Sequence, residues 1–270
     1  MTDLMLVNPL FLHEDPVEQR LMTPYFPLGL LYLAATARDA GYTVSIFDAM
    51  FQTGDGAFVA ALERERPKVV GFGVLATVRA AALRLAVLAH QSGAAVVAGG
   101  ADPTGRPESY LRHRSNGSHP VDLVVIGEGE QTLLELLPWF LNDERTDGLP
   151  REIAGLAFLD DDGKFVSTAA RKHCADLESL ALPARDLINL EAYRQAWHKR
   201  HGIFSLSLIA TRGCPYGCKW CQKSVFGRSF RPRSPESVAE EMRLIKEQYR
   251  PEQLRVVDDV MGIDRQWVRA

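Results

Sequence analysis

Residues 204–221 read FSLSLIATRGCPYGCKWC. A short apolar run (204–210) reads as a strand and leads straight into a loop with three cysteines, Cys214, Cys218 and Cys221, spaced C-x3-C-x2-C. The carboxyl end of a strand is where a βα-barrel places its chemistry. Three thiolates so close together can hold three corners of a cubane iron–sulfur cluster and leave the fourth iron open to a substrate. A structural zinc site calls for four ligands, as a second C-x2-C pair or as histidines at finger spacing. His198 and His201 lie upstream without that spacing. Zinc and a chance grouping of cysteines stay as the alternatives to a cluster.

Downstream, Ser234-Pro235-Glu236 opens a helix. The serine caps it, the proline fits its first turn and the glutamate faces its positive end. Val238, Met242 and Ile245 share one face of that helix. LRVVDD (254–259) reads as the next strand, and Asp264 caps a further helix that begins in GIDRQWVRA.

Upstream, short apolar runs alternate with helical patterns. Strands are expected at 4–10, 44–50, 68–75, 94–100 and 121–129, and helices at 27–41, 56–66, 78–93, 108–113 and 130–143. Pro27 opens the first helix, and Gly41 and Gly93 close the first and third. The continuous apolar strands indicate burial on both faces, and the alternation makes an open parallel sheet covered by helices. Ligands of such sheets sit at the carboxyl ends of the strands. Glycines recur there, as Gly71 and Gly73, Gly99 and Gly100, Gly127 and Gly129. Glycine permits positive φ and close approach of a ligand, although glycine after a strand is also ordinary loop chemistry. Between the two regions, GLAFLDDDGKFVS (155–167) reads as a hairpin closed by Gly163, and 178–193 as a crossing segment. Cys174 lies in this connector and is read as a free thiol.

The cysteine loop resembles that of the radical S-adenosylmethionine (SAM) enzymes, C-x3-C-x-aromatic-C, with Trp220 in the aromatic slot. PLGLLYLAATARDAGYTVSIFDA, GFGVLAT, VVAGGADPTGRPE and VVIGEGEQTLLELL resemble, in order, the cobalamin-binding domain of the B12-binding members of that family. The resemblance implies an α/β protein. A flavodoxin- or Rossmann-like five-stranded parallel sheet of cobalamin-binding type (1–145) is followed by a connector (146–200). The first βα units of a radical SAM partial barrel (201–270) complete it. Such barrels have six units, which would need on the order of 180 residues. Residues 201–270 hold about two units, so a fragment truncated within the barrel is expected, with completion by a second chain as the lesser alternative.

The same resemblance implies the cofactors. Cys214, Cys218 and Cys221 would ligate a [4Fe–4S] cluster whose open iron binds SAM. Reductive cleavage of SAM would give a 5′-deoxyadenosyl radical that drives methylation of an unactivated carbon, or a cyclisation or rearrangement. Trp220 would pack near the adenine or be a core aromatic; Asp258 and Asp259 would hold the SAM amino group or be plain strand-end carboxylates. Arg212 would balance cluster charge or be solvated. Gly73, Val74, Leu75, Gly99, Gly100, Gly127, Glu128 and Gly129 would contact cobalamin. The D-x-H-x-x-G motif that supplies a cobalt-binding histidine is absent, and His13 follows the first strand as FLHEDP, so cobalamin is expected without a histidine ligand. No catalytic acid or base is assigned. The alternative function is a non-catalytic corrinoid- or tetrapyrrole-binding module with a vestigial cluster loop.

Bulk properties set the remaining limits. The 270 residues are 46% hydrophobic and 24% charged, with net charge −3, which gives no reason to expect a polyanionic partner. Between Ala192 and Pro235 there is no Asp or Glu but nine Lys and Arg. That run is a solvated basic face, or favourable surroundings for an anionic cluster and a carboxylate-bearing cofactor. RNA binding is disfavoured, because no run of stacking aromatics accompanies the charge. Three of four cysteines in one loop indicate metal or redox usage in a reducing compartment. With neither a signal peptide nor a long apolar run, the cytoplasm is expected. The expected partners are a small-molecule substrate and a one-electron reductant of flavodoxin or ferredoxin type.

Overall fold

The computed structural model describes residues 1–115, 117–141 and 148–270. Five parallel strands form the first sheet: β1 (Leu4–Asn8), β2 (Val44–Asp48), β3 (Val69–Gly73), β4 (Ala95–Gly99) and β5 (Leu123–Val125), in the order β2-β1-β3-β4-β5. Alternation along each strand builds two cores. Leu4 and Leu6 of β1 face one side with Val69, Val97 and Leu123, whereas Met5 and Val7 face the other with Val70, Val96 and Val124. On the first side lie α2 (Leu28–Asp39) and α7 (Glu130–Leu141), which bury Ala34, Leu133 and Leu136 there. On the second lie α3 (Gly56–Glu65) and α4 (Arg79–Gln91), which bury Phe58, Leu62, Leu85 and Ala89. Gly41 and Gly93 stand just past the ends of α2 and α4 at φ 91° and 87°, as glycines that stop helices do.

Several details depart from the sequence reading. The region around FLHEDP is helical, with α1 (Pro16–Leu21) capped by Asp15, whose carboxylate accepts from Val17 N and Glu18 N at 2.9 and 3.0 Å. Two short helices, α5 (Ala101–Gly105) and α6 (Pro107–Leu111), replace the one expected at 108–113. The expected end of the fifth helix at 142–143 and the boundary at 145/146 lie outside the described residues. The connector hairpin is not free-standing. Its strands β6 (Leu156–Leu159) and β7 (Phe165–Ser167) extend the sheet antiparallel to β5, making seven strands in place of five. The pairing covers an edge that β5 would otherwise leave with open hydrogen-bonding groups. The crossing segment ends in α8 (Leu190–His201), missed because its mostly polar residues bury only Tyr193 and Trp197.

The second unit matches its expected βα pattern. Strand β8 (Ser205–Leu208) pairs in parallel with β11 (Gln253–Val256), joined through α9 (Pro235–Tyr249). Ser234 caps α9, accepting from Ser237 N at 3.2 Å, and Val238 and Ile245 are buried. Two-residue strands β9 (Thr211–Arg212) and β10 (Arg231–Pro232) pair antiparallel and close the base of the cysteine loop. Asp264 caps the short α10 (Arg265–Arg269). No helix among the described residues is long and apolar enough to cross a membrane.

Candidate cofactor site

The turns after β3, β4 and β5 converge on one cavity of about 300 Å³. All eight residues singled out from the sequence line it: Gly73, Val74, Leu75, Gly99, Gly100, Gly127, Glu128 and Gly129. The turns are laced together, since Val74 N donates to Gly99 O at 2.8 Å and Asp102 N to Val74 O at 3.2 Å. Gly100 has φ 100°, and a Cβ there would lie 2.8 Å from Val74 O. Only glycine fits that crossing. The rest of the wall is mostly apolar, from Phe26, Leu28, Leu30 and Leu33 at the start of α2. An apolar cavity with a few fixed polar groups is the usual form of a cofactor site. His13 is exposed and is not among the lining residues.

Residues flanking the cysteine loop, Ile209 and Arg212 before it and Val225 and Phe226 after it, add to the wall. Cys214 is buried, whereas Cys218 and Cys221 are exposed, and all three thiols are free. Lys223 Nζ donates to Cys214 O at 2.9 Å. Directly after the third cysteine, Gln222 Nε2 and Ser224 Oγ both donate to Ala101 O, at 2.9 and 3.3 Å. This docks the loop on the turn after β4, and the next residues, Val225 and Phe226, line the cavity. The described residues hold no group of three or more Cys, His, Asp or Glu gathered as a single metal ion would need. Three cysteine thiols are the donor type a cluster would take, and the glycine turns give a bulky cofactor close access to the backbone.

Trp220 is 89% exposed and packs into no core. Asp258 and Asp259 follow β11 rather than ending it. Asp258 is already committed, with one oxygen accepting from Ala210 N and the other from Thr211 Oγ1, both at 2.8 Å. Burial raises its pKa, against the lowering effect of those bonds. It braces the start of the cysteine loop, while Asp259 is exposed.

Arg212 is neither solvated nor free. It is 3% exposed, bonded to Glu130 at 2.6 Å, 3.5 Å from Glu128, and packed on the rings of Tyr32 and Phe226. Burial alone would lower its pKa; Glu130 and Glu128 outweigh that and raise it. A buried guanidinium requires such partners. Arg231 joins from the other stem, 2.8 Å from Glu128, and donates to Cys174 O at 2.5 Å, while Cys174 N donates to Glu128 at 2.6 Å. Burial and then Glu128 push the Cys174 thiol pKa up. A second buried group links Arg185 and Arg233 to Glu241, which is 1% exposed. The basic run is thus divided. Arg212, Arg231 and Arg233 are internal, while Lys199, Arg200, Lys219 and Arg228 are exposed.

The sequence reading missed Asn8, Phe26, Tyr32, Val225 and Phe226 as cavity residues. Their only signal was position, at the end of the first strand, around the first helix's start, and just past the cysteines.

Residues 20–137 match the B12 binding domain family. Over 256 residues the chain is 27% identical to an uncharacterized methyltransferase of Pyrococcus horikoshii, covering 93% of this chain and 52% of that protein. It is 29% identical over 230 residues to the anaerobic magnesium-protoporphyrin IX monomethyl ester cyclase of Rubrivivax gelatinosus, covering 83% and 39%. The chain therefore spans about half of these relatives' length or less. Among solved structures, the cobalamin-dependent S-adenosylmethionine radical enzyme OxsB superposes with TM-score 0.76 at 20% identity, over 99% of this chain and 35% of that one. Residues 20–137 thus carry a B12-binding domain, set in a fold shared with a cobalamin-dependent radical SAM enzyme.

Proposed function

We propose that this chain is the cofactor-holding part of a cobalamin-dependent radical SAM enzyme that methylates an unactivated carbon. One observation carries the reading: the eight turn residues of the sheet and the two residues that follow Gln222–Ser224 wall the same cavity. In this reading the turns from Gly73 to Leu75, Gly99 to Gly100 and Gly127 to Gly129 hold cobalamin. Cys214, Cys218 and Cys221 hold a [4Fe–4S] cluster, and Trp220 and Asp259 lie on the loops that meet SAM, with Asp258 bracing the loop from behind. The functional units are residues 1–145, 146–200 and 201–270, although the 156–167 hairpin is built into the first sheet. When bound, the cofactors would supply one-electron cleavage of SAM, hydrogen abstraction and a methyl group.

The chain's own residues do the rest. The apolar wall keeps water from the reacting groups, and Lys223 fixes the backbone at Cys214. The Arg212–Glu130 pair fixes the loop stem without adding net charge to the cavity. A small-molecule substrate and an external one-electron reductant complete the reading.

The test is anaerobic reconstitution with iron, sulfide and hydroxocobalamin, followed by reduction and electron paramagnetic resonance with and without SAM. A reduced [4Fe–4S] signal that changes with SAM, together with 5′-deoxyadenosine formation, supports the enzyme. Corrinoid binding with no SAM-responsive cluster would leave a corrinoid-binding module instead.

A further inference from the structure

Asn8 is a buried polar residue of the cavity whose side-chain oxygen is uncommitted. Asn8 ends β1, is 7% exposed and lines the cavity. It lies beside the switch point where the strand order reverses between β1 and β3, the usual ligand position in such sheets. Its Nδ2 donates to Asp48 Oδ1 at 2.8 Å. Asp48 ends β2 in register with Asn8, and it accepts two further bonds, from Met50 N at 3.2 Å and from the Tyr193 hydroxyl at 2.7 Å. Met50 N can only donate and bonds the same Asp48 Oδ1, so that oxygen is an acceptor. The Asn8 amide nitrogen faces it, and the planar amide turns Asn8 Oδ1 the other way. Among the described residues no donor is bonded to that oxygen, and it is not one of the sealed, unpartnered oxygens of the interior.

The arrangement is held from behind. Tyr193, on α8, is fully buried, with its ring 4.5 Å from that of Phe26 and 4.9 Å from that of Phe51. Its hydroxyl has little freedom to leave Asp48. The hydrogen-bonded series Tyr193–Asp48–Asn8 presets an acceptor in a mostly apolar wall, and a preset acceptor selects a ligand that brings a donor.

We propose that Asn8 Oδ1 is a fixed hydrogen-bond acceptor for the corrinoid, with Asp48 and Tyr193 as positioning residues; this rests on the cobalamin reading of the cavity. The donor must be a neutral N–H or O–H. A corrinoid has two sources, the primary amides of its rim and a water on its metal.

The full chain and its variants are titrated with aquocobalamin and with dicyanocobinamide, which keeps rim amides but carries cyanide at both axial positions. Binding is followed by protein fluorescence and by the visible bands of the bound corrinoid. Asn8→Leu is expected to bind about tenfold more weakly. Tyr193→Phe, which keeps the ring packing, should lose about threefold, and it should shift the bound visible bands, which a mere loss of fold stability would not do. Equal losses for both corrinoids assign a rim amide; a loss confined to aquocobalamin assigns the water. Unchanged affinity for both corrinoids in Asn8→Leu would overturn the proposal. If Asn8→Leu does not fold, as judged by circular dichroism, Tyr193→Phe decides: weaker binding supports the series and wild-type binding overturns it. Failure of the wild-type chain to bind either corrinoid would instead remove the cobalamin reading itself.

Discussion

Replacing Gly100 by alanine isolates the physics of the cavity rim. Two costs combine there. The backbone sits at φ 100°, ψ −172°, a region essentially reserved for glycine and worth roughly 1–3 kcal/mol of strain to any other residue. The added Cβ would also lie 2.8 Å from Val74 O and 2.9 Å from Val74 N. Neither atom can yield easily, because Val74 N is bonded to Gly99 O and Val74 O accepts from Asp102 N. Overpacking of that kind costs about 1–3 kcal/mol. Alanine returns about 0.4–1 kcal/mol by restricting the unfolded chain, so the net loss should be about 2–5 kcal/mol. Gly93→Ala is the control. Its φ is also positive, at 87°, but nothing lies within 4 Å of its added Cβ. It should lose only about 0–1.5 kcal/mol, the left-handed cost less the same unfolded-state gain. Urea denaturation of both variants measures the difference. Equal losses would refute the claim that close backbone approach, rather than dihedral strain, reserves position 100 for glycine.

Arg212→Met should destabilise the chain by about 3–5 kcal/mol, because it leaves Glu128 and Glu130 buried beside fewer cations. Adding Glu130→Gln should recover part of that loss, and additive effects in urea melts would show that the pair is not coupled. Ser234→Ala should cost about 1 kcal/mol by freeing the Ser237 amide at the start of α9, also read by urea melts. Burial holds the Asp48 pKa above its ordinary 3.8, against the lowering effect of its hydrogen bonds. A carboxyl raised on folding contributes stability that is complete below its unfolded pKa and is lost as pH rises through its folded pKa. The urea midpoint should therefore carry a downward component from about pH 3.8 upward that is absent in Asp48→Asn. Parallel pH profiles for the two proteins would contradict the buried placement of this carboxylate.

The first sheet was legible because β1, β3 and β4 are continuous apolar runs and Gly41 and Gly93 end their helices where a positive φ is needed. The cavity rim was legible from the glycines that follow its strands, and Gly100 stands where two turns cross closely. Helix α8 was not, since Arg194, Lys199 and Arg200 give it no apolar stripe and two buried aromatics anchor it. The hairpin itself was visible around Gly163, but its pairing with β5 depends on contacts far apart in sequence. Arg212 was read as solvated or as a counter-charge to a cluster, and its burial overturns the first of these. Its partners, Glu128 and Glu130, lie more than eighty residues upstream, and no local pattern links a basic loop stem to an acidic turn. Asn8 had no signal in composition or spacing, because its role depends on Asp48 across the sheet.

The buried charges explain how a cysteine loop with an exposed tip can hold a defined relation to the cavity. Cys218, Trp220 and Cys221 are all exposed, so the tip itself fixes little. The stems do. Arg212 in β9 and Arg231 in β10 flank the loop, and both reach Glu128 at the end of the β5 turn. Glu128 also accepts from Cys174 N of the connector. One carboxylate thus gathers the sheet, the connector and both arms of the loop, and it lines the cavity as well. With Glu130 present, two anions face two cations, so the junction is neutral and its burial tolerable. Interactions this buried are little weakened by salt, whereas the Gln222 and Ser224 contacts nearer the tip are ordinary hydrogen bonds to one carbonyl. The tip is therefore the less constrained part of the loop, while the stems keep Val225 and Phe226 against the cavity.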